Sequence, residues 1–190
     1  MEWQGSEPSA DDAELVLAVA EGDQGAYQEL VRRHAPRIHH FVVRLVRDPA
    51  EAEDVTQETF LRLWLRAAEY QPTARVTTWL FRIAHNLAVD RLRARGRVEA
   101  LPDADTEPAP ASISQTVLVD RKQRAEALEA ALAGLPERQA AALTLVHLQG
   151  LSGAEASEVL GVSAEALESL LARGRRALKA RLAAYGEKAE

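Results

Sequence analysis

The chain contains no cysteine, and its only methionine among 190 residues is the first one. The lack of cysteine excludes disulfides, thiolate zinc sites and cysteine nucleophiles. No glycine-rich loop that could cradle a phosphate is present, and no constellation of acids and bases predicts a catalytic centre. His34, His39 and His40 lie on one predicted helix without a companion cluster of acids. We therefore expect no enzyme activity, no cofactor and no metal site.

The sequence also lacks the apolar segments of a secretory signal and of a membrane-spanning helix. The N-terminus has neither the basic stretch nor the apolar stretch of a secretory signal. No run approaches the roughly 18 apolar residues that a membrane-spanning helix needs. These absences predict a cytoplasmic protein without membrane insertion.

Aromatic residues are scarce, at 5% of the chain, whereas alanine occurs 36 times and hydrophobic residues make up 47%. Alanine is the best helix former, while aromatic and β-branched residues favour strands. The apolar content also argues against a disordered chain. The composition therefore predicts an all-α protein with small cores of leucine, alanine and valine.

Charge is distributed unevenly along a chain whose net charge is −6. Residues 1–29 hold eight acids and no base, and residues 48–58 hold five acids and no base. By contrast, residues 75–97 contain six arginines and one acid, and residues 173–181 contain five basic residues and no acid. This pattern predicts two local patches that face phosphates on a chain that otherwise repels nucleic acid.

Helix-capping residues and prolines divide the chain into two small helical domains. They predict four helices within residues 10–96, and helices resume near Gln115 and continue to about residue 185. Residues 97–114 contain three prolines and four acids with little periodicity, which is typical of a flexible linker. A long ordered surface loop is the alternative for this segment. With one basic patch in each domain, the chain could contact two separated places on one nucleic acid.

The second domain, residues 115–185, contains the pattern of a helix-turn-helix. Ser152 and Glu155 form a capping box that predicts a short helix to Leu160, and residues 161–163 (Gly-Val-Ser) suit the turn. The next helix would bury leucines and present polar and basic side chains to a major groove. The inward leucines are Leu167, Leu170, Leu171 and Leu178, and the outward candidates are Ser163, Glu165, Glu168, Ser169, Arg173 and Arg176. A helical hairpin with a solvated basic face is the alternative.

An arginine-rich helix is predicted at the end of the first domain, from Thr77 or Thr78 to about Arg95. Its apolar side chains are spaced to pack one face, and the remaining positions suit phosphate and base-edge contacts. The packing positions are Trp79, Leu80, Ile83 and Leu87, and the others are Thr78, Arg82, His85, Asn86, Asp90, Arg91 and Arg93. A solvated amphipathic helix is the alternative.

Four segments together resemble the sigma-70 family of bacterial RNA polymerase subunits, and within it the small extracytoplasmic-function group. They are AEDVTQETFLRLW at 52–64, TTWLFRIAHNLAVDRLR at 77–93, LPER at 135–138, and the helix-turn-helix. The resemblance covers about residues 11–182, with sigma region 2 in residues 10–96 and region 4 in residues 115–185. It implies a transcription initiation factor that binds core RNA polymerase, recognises the promoter −10 and −35 elements and helps to separate the strands. It also implies control by an anti-sigma factor.

The resemblance assigns roles to individual residues. The segment around residues 51–64 would dock on the clamp helices of the largest polymerase subunit, and region 4 would contact the polymerase flap. The docking residues would be Asp54, Gln57, Glu58, Leu61 and Trp64. The loop at residues 70–76 would receive a flipped base, and Asn86 would read the −10 element. The whole −10 set would be Tyr70, Arg75, Thr78, Trp79, Arg82, Asn86, Asp90, Arg91 and Arg93, and the −35 set would lie between Ser163 and Arg176.

One stretch departs from the family pattern, which has a basic residue, a serine and an arginine in the middle of the recognition helix. This chain has Glu168, Ser169 and Leu170 there. The departure predicts two missing DNA contacts, so that either the −35 sequence is unusual or the second domain binds weakly and depends on the first. A stand-alone helix-turn-helix regulator and a sigma-like decoy that sequesters a regulator are the alternative functions.

Overall fold

The computed structural model describes residues 10–96 and 118–186, with side chains described for residues 12–96 and 126–183. Within these ranges every regular element is helical, as the composition predicts. The first domain contains α1 (Ala10–Ala20), α2 (Gln24–Val46), α3 (Pro49–Arg66), a 3-10 turn (Ala67–Glu69) and α4 (Val76–Ala94). The second contains α5 (Leu118–Ala133), α6 (Glu137–Leu143), a π turn (Thr144–Leu148), α7 (Gly153–Leu160) and α8 (Ala164–Gly186). The predicted linker and the helix start near Gln115 lie outside the described residues.

Capping side chains fix where α2 and α3 begin. Asp23 Oδ1 accepts hydrogen bonds from the backbone N–H groups of Gly25 at 2.7 Å and Ala26 at 3.1 Å. Asp48 caps α3 in the same way, with Pro49 at the first helical position. Each cap satisfies donors that the first turn of a helix leaves unpaired, which stabilises the helix by about 1 kcal/mol.

Apolar faces of α1 to α4 enclose the core of the first domain. Phe41 of α2 and Phe81 of α4 meet edge to face, with ring centroids 5.3 Å apart. Leu30, Leu63 and Leu80 are fully buried in the same core. Because burial of large apolar side chains is the main stabilising contribution, this core fixes the directions in which α3 and α4 present their outer faces.

A buried histidine ties α1 to α2. His34 Nε2 donates to Asp12 Oδ2 at 2.9 Å, and Arg33 Nη1 donates to the other carboxylate oxygen at 2.8 Å. Burial lowers the pKa of His34, and the Asp12 carboxylate offsets this only in part. No three His, Asp or Glu side chains in the described part of the chain converge where a metal ion could bind.

The His34 contact predicts a pH dependence of stability. Because the folded-state pKa lies below the unfolded value of about 6.5, the folded state binds this proton less readily. The free energy of unfolding should therefore fall as the pH decreases through about 6.5, by at most about 1.4 kcal/mol per pH unit for this group. Urea unfolding at pH 7.5 and 5.5 measures the effect. The His34→Gln variant should show a smaller change, and an equal change would exclude His34 as the source.

The second domain depends on a close approach between α6 and α8. Gly174 is buried in the middle of α8, where a Cβ atom would lie 3.0 Å from Leu143 Cδ1 of α6. Glycine inside a helix costs about 1 kcal/mol relative to alanine. The close packing of Gly174 against Leu143 explains why glycine is used here in spite of that cost. The close approach places α8 with its basic face outward.

The two domains pack against each other, which the sequence patterns do not predict. Helix α7 lies against α4, and α6 lies against α2. Buried apolar residues from both domains form one continuous cluster. None of the helices within the described ranges is both long enough and apolar enough to cross a membrane.

Candidate nucleic-acid and protein interfaces

The outer face of α3 combines acidic, amide and leucine side chains. Asp54 and Gln57 are exposed, and Leu61 and Leu65 continue the row at 48% and 69% exposure. Residues three or four apart lie on one side of a helix, so these four side chains form a single strip. Its carboxylate repels DNA phosphates, whereas the leucines offer apolar area to a protein. Leu65 is not among the docking residues expected from the sequence, although its position four residues after Leu61 is a signal for it.

Two further predicted docking residues border this strip. Glu58 is half-exposed and accepts a hydrogen bond from Arg62 Nε at 2.9 Å. Trp64 is half-buried and packs edge to face on Tyr27 of α2, with ring centroids 5.3 Å apart. Trp64 therefore braces α3 against α2 and keeps part of its surface accessible.

The loop before α4 is held by an aromatic pair. Tyr70 is buried, its hydroxyl donates to the carbonyl of Ala74 at 2.7 Å, and its ring centroid lies 5.3 Å from that of Trp79. The ring of Tyr70 therefore shapes the loop and is not an open surface. Arg75 and Trp79 are partly exposed and form the accessible part.

Most predicted −10 positions further along α4 face outward. Arg82, Asn86, Asp90, Arg91 and Arg93 are all exposed. Arg93 pairs with Asp90 at 3.8 Å, and Arg91 pairs with Asp54 of α3 at the same distance. Exposed ion pairs contribute only about 0.2–1 kcal/mol, so these arginines can exchange their partners for phosphates.

Two side chains of α4 that were expected to face outward are buried. Thr78 is 1% exposed and donates to Glu155 Oε1 of α7 at 3.3 Å. His85 is also buried, and its Nε2 lies 3.6 Å from Glu137 Oε1 of α6. The prediction that both face outward is wrong for this arrangement, because the second domain covers them.

The helix-turn-helix has the caps that its sequence predicts. Ser152 Oγ accepts from the N–H of Glu155 at 3.3 Å, and the Glu155 carboxylate accepts from the N–H of Ser152 at 2.8 Å. Gly161 adopts φ +63°, a left-handed conformation that glycine tolerates best. Ser163 Oγ accepts from the N–H of Ala166 at 3.2 Å and so caps α8.

Carboxylates near these caps remain charged. Partial burial raises the pKa of Glu155, but hydrogen bonds from Ser152 and Thr78 and the charge of Arg75 outweigh it and lower the pKa overall. A hydrogen bond from its own backbone N–H, with a second from Ser163, lowers the pKa of Glu165. The N-terminal end of α8 is therefore acidic. Such a carboxylate repels phosphates and can accept a hydrogen bond from a cytosine amino group.

The outer face of α8 is polar and acidic towards its N-terminus and basic further along the helix. Glu165, Glu168 and Ser169 are exposed, followed by Arg173 and Arg176. Arg173 Nε also donates to the Ser169 carbonyl at 3.3 Å. The arrangement is typical of a helix that reads bases near its N-terminus and holds phosphates behind.

Leu170 packs in the core, as its place among the inward leucines predicts, and does not have the DNA-contacting role that the family pattern gives this position. Its side chain is 8% exposed and belongs to the core, next to Leu167 and Leu171. The expectation that Leu170 marks a lost DNA contact is therefore wrong, because this position faces inward. Glu168 is exposed, and the expected loss of a basic contact there stays a prediction.

Comparison with known protein families finds two matches along the chain. Residues 30–98 match Sigma-70 region 2, and residues 125–178 match Sigma-70, region 4. The ECF RNA polymerase sigma factor SigE of Mycolicibacterium smegmatis is 40% identical over 185 residues, covering 94% of this chain and 71% of that protein. The ECF RNA polymerase sigma factor SigM of Mycobacterium tuberculosis is 36% identical over 174 residues, covering 92% and 85%.

Solved structures share the arrangement of helices. CnrH in complex with the cytosolic domain of CnrY has a TM-score of 0.69 at 26% identity, covering 92% of this chain and 98% of that one. The sigma factor RpoE of Bartonella quintana, in complex with the anti-sigma factor NepR, has a TM-score of 0.64 at 22% identity, covering 82% and 96%. The second likeness supports the fold alone.

Proposed function

The chain belongs to the extracytoplasmic-function group of the sigma-70 family, and from this premise we propose how its surfaces divide the work of transcription initiation. The α3 strip binds core RNA polymerase, the outer face of α4 contacts the −10 element, and the outer face of α8 contacts the −35 element. The observation that carries this division is the acidic and apolar α3 strip. It meets the arginine-rich face of α4 only through the exposed pair of Asp54 with Arg91, and its carboxylate and leucines are unsuited to DNA.

The α3 strip suits the clamp helices of the largest polymerase subunit. Asp54, Gln57 and Glu58 can pair with basic and polar groups, while Leu61 and Leu65 bury apolar area. Fully burying a leucine contributes about 1.5–3 kcal/mol. Leu65 extends the family's docking segment, and Trp64 holds the strip in position. Region 4 would contact the polymerase flap.

The docking assignment is tested by Asp54→Arg combined with Gln57→Ala. Both side chains are exposed, so the fold should stay intact while binding to core polymerase weakens by about tenfold or more, as a reversed charge in an interface costs several kcal/mol. Co-elution with core polymerase and circular dichroism measure the two effects. Glu21→Arg with Gln28→Ala, at exposed sites of the same domain, is the matched control. Unchanged core binding by the docking variant would refute the assignment.

The DNA-facing roles follow from exposure and chemistry. Asn86 is an exposed amide that can form a bidentate contact with a base. Arg82, Arg91 and Arg93 beside it suit phosphates, and Arg75 with Trp79 borders the loop that would receive an unstacked base. On α8, Ser169 and the acidic residues before it face the bases.

Phosphate contacts on α8 predict a loss of activity without a change of preference. Arg173→Ala or Arg176→Ala should lower transcription from all cognate promoters to a similar extent, because phosphate contacts position the protein and carry no sequence information. Each lost contact should also reduce the slope of log affinity against log salt by about 0.9. Transcription and salt titrations with holoenzyme on several promoters measure both. A changed ranking of the promoters would mean that the arginine reads bases.

Control by an anti-sigma factor belongs to the same proposal. The structure of CnrH, which has a similar arrangement of helices, was solved in complex with the cytosolic domain of CnrY. We expect a comparable partner that holds this protein inactive in the cytoplasm. The chain itself would act as a transcription factor and not as an enzyme.

A stand-alone helix-turn-helix regulator is the second candidate, and it is favoured only by the well-formed caps of α7 and α8. It leaves the α3 strip without a role. Co-purification with core polymerase separates the two candidates, because a stand-alone regulator needs no polymerase for specific binding to duplex DNA.

A further inference from the structure

Helix α4 begins without the capping side chain that fixes the start of α2, α3 and α7. Its N-cap residue is Arg75, whose side chain makes no capping hydrogen bond. In α2 and α3, by contrast, Asp23 and Asp48 each accept two hydrogen bonds from the first turn. The loop before α4, residues 70–75, therefore depends on other contacts for its shape.

The hydroxyl of Tyr70 supplies such a contact. It donates to the carbonyl of Ala74 at 2.7 Å and so joins the first and fifth residues of the loop. The backbone N–H of Tyr70 donates to the carbonyl of Ala67 at 3.1 Å, which anchors the residue to the 3-10 turn before it. The Tyr70 ring packs on Trp79, whose N–H donates to the carbonyl of Arg75 at 3.1 Å in the first turn of α4. Both ends of the loop are thus tied to Tyr70.

The surroundings of this hydroxyl keep it a hydrogen-bond donor. Tyr70 is buried, and burial together with the negative charge of Asp12 raises the pKa of the hydroxyl above the ordinary value for tyrosine. The group is therefore protonated at neutral pH. Because a buried donor that loses its partner gains no water in exchange, this hydrogen bond is costly to break.

The middle of the loop faces solvent. Gln71, Pro72 and Thr73 are exposed, so burial does little to order them. Pro72 restricts only its own backbone and that of its neighbour. The hydrogen bond from Tyr70 to Ala74 closes a ring around these three residues and so limits the conformations that they adopt.

We propose that the Tyr70 hydroxyl is a positioning group, which pre-forms residues 70–75 into the shape that receives the unstacked base of the −10 element and does not itself touch the base. A loop that is ordered before binding loses little conformational entropy when the base enters, so the base is held more tightly. The inference rests on the proposed function of this loop. It gives Tyr70 an indirect role in place of a direct contact with DNA.

Hydrogen exchange of the free protein tests whether the hydroxyl orders the loop. Tyr70→Phe removes the hydroxyl and keeps the ring on Trp79. Tyr27→Phe is the matched control, since it removes the same atom from a half-buried tyrosine of the same domain, whose ring packs on Trp64. Amides of the loop should exchange about three- to tenfold faster in Tyr70→Phe, the factor expected for one hydrogen bond, and should not change in the control. Exchange at the unsubstituted rate in Tyr70→Phe would overturn the proposal.

A second measurement isolates the contribution of the base. Holoenzyme binds a promoter fragment whose −10 region is single-stranded on the non-template strand, with a normal nucleotide or an abasic site at each −10 position in turn. One abasic site should weaken binding by the unsubstituted holoenzyme, because the loop loses its base. In Tyr70→Phe that loss should be about three- to tenfold smaller, because a loop that must first be ordered gains less from the base. Tyr27→Phe should match the unsubstituted protein.

The two measurements together distinguish the ways in which the proposal fails. An equal contribution of the base in Tyr70→Phe and in the unsubstituted protein would overturn it. A smaller contribution with unchanged exchange would mean that the hydroxyl contacts the base directly, which also overturns it. If no abasic site weakens binding by the unsubstituted holoenzyme, the proposed base-receiving function of the loop fails, while exchange in the free protein still shows whether the hydroxyl orders the loop.

Discussion

Asn86→Ala should relax or abolish selectivity at the −10 element, with a loss of about 10- to 100-fold for the cognate sequence. The side chain is exposed on α4 beyond the edge of the contact with the second domain, so it is available to a base. A good bidentate contact with a base contributes about 1–3 kcal/mol of discrimination, and alanine removes both the donor and the acceptor. Stability should hardly change, because the position is exposed.

The measurement is transcription by holoenzyme from a promoter library with a randomised −10 element. The variant should show a flatter preference at one base position and normal preference elsewhere. Gln28→Ala, an exposed amide on α2 outside the segments assigned to DNA, is the matched control. If the Asn86→Ala variant keeps an unchanged preference profile, other residues of α4 must read the −10 element.

Leu170→Arg should unfold or strongly destabilise the second domain, whereas Glu168→Arg should strengthen promoter binding. Leu170 is 8% exposed within the core, so arginine would both remove apolar packing and bury an unpaired charge, at a cost of about 4 kcal/mol or more. That is a large share of the roughly 5–15 kcal/mol by which a domain is stable. Glu168 is exposed, and its replacement should change stability by about 0.5 kcal/mol or less.

Thermal unfolding and promoter affinity of the holoenzyme distinguish the two positions. Glu168→Arg adds a group that can pair with phosphate, and one such contact of about 1 kcal/mol raises affinity about fivefold. Leu170→Met, which conserves volume, serves as the control for position 170 and should cost less than about 1.5 kcal/mol. If Glu168→Arg leaves binding unaltered or weakens it, the glutamate itself reads the −35 sequence or a protein partner.

Much of the fold could be predicted from local signals in the sequence. Asp23, Asp48 and the Ser152–Glu155 box act on the next few residues only, and the structure confirms the helix starts that they mark. The turn at Gly161 likewise depends on the conformation of one residue. Features that depend on a single turn of helix can be predicted without knowledge of the rest of the chain.

Features that depend on contacts between distant segments could not be predicted in this way. His85 appears on the polar side of α4 by periodicity, yet it is buried because Glu137 lies over it from another domain. Leu170 fits the inward stripe by periodicity, and comparison with a family pattern alone gave it the wrong role. Leu65 was missed because an exposed leucine becomes informative only when its neighbours are known to be exposed as well.

Glu155 belongs to two structures at once, since it completes the cap of α7 and also faces Arg75 and Thr78 of α4. The consequence concerns chimeric proteins. A graft of this chain's region 4 onto another sigma factor would carry the carboxylates of the domain contact along with the DNA-reading helix. Promoter choice and the contact with α4 would therefore be transferred together. Engineers who exchange these modules should vary Glu158, which pairs with Arg82 of α4 and whose side chain has no part in the caps of α7, when only promoter choice is to change.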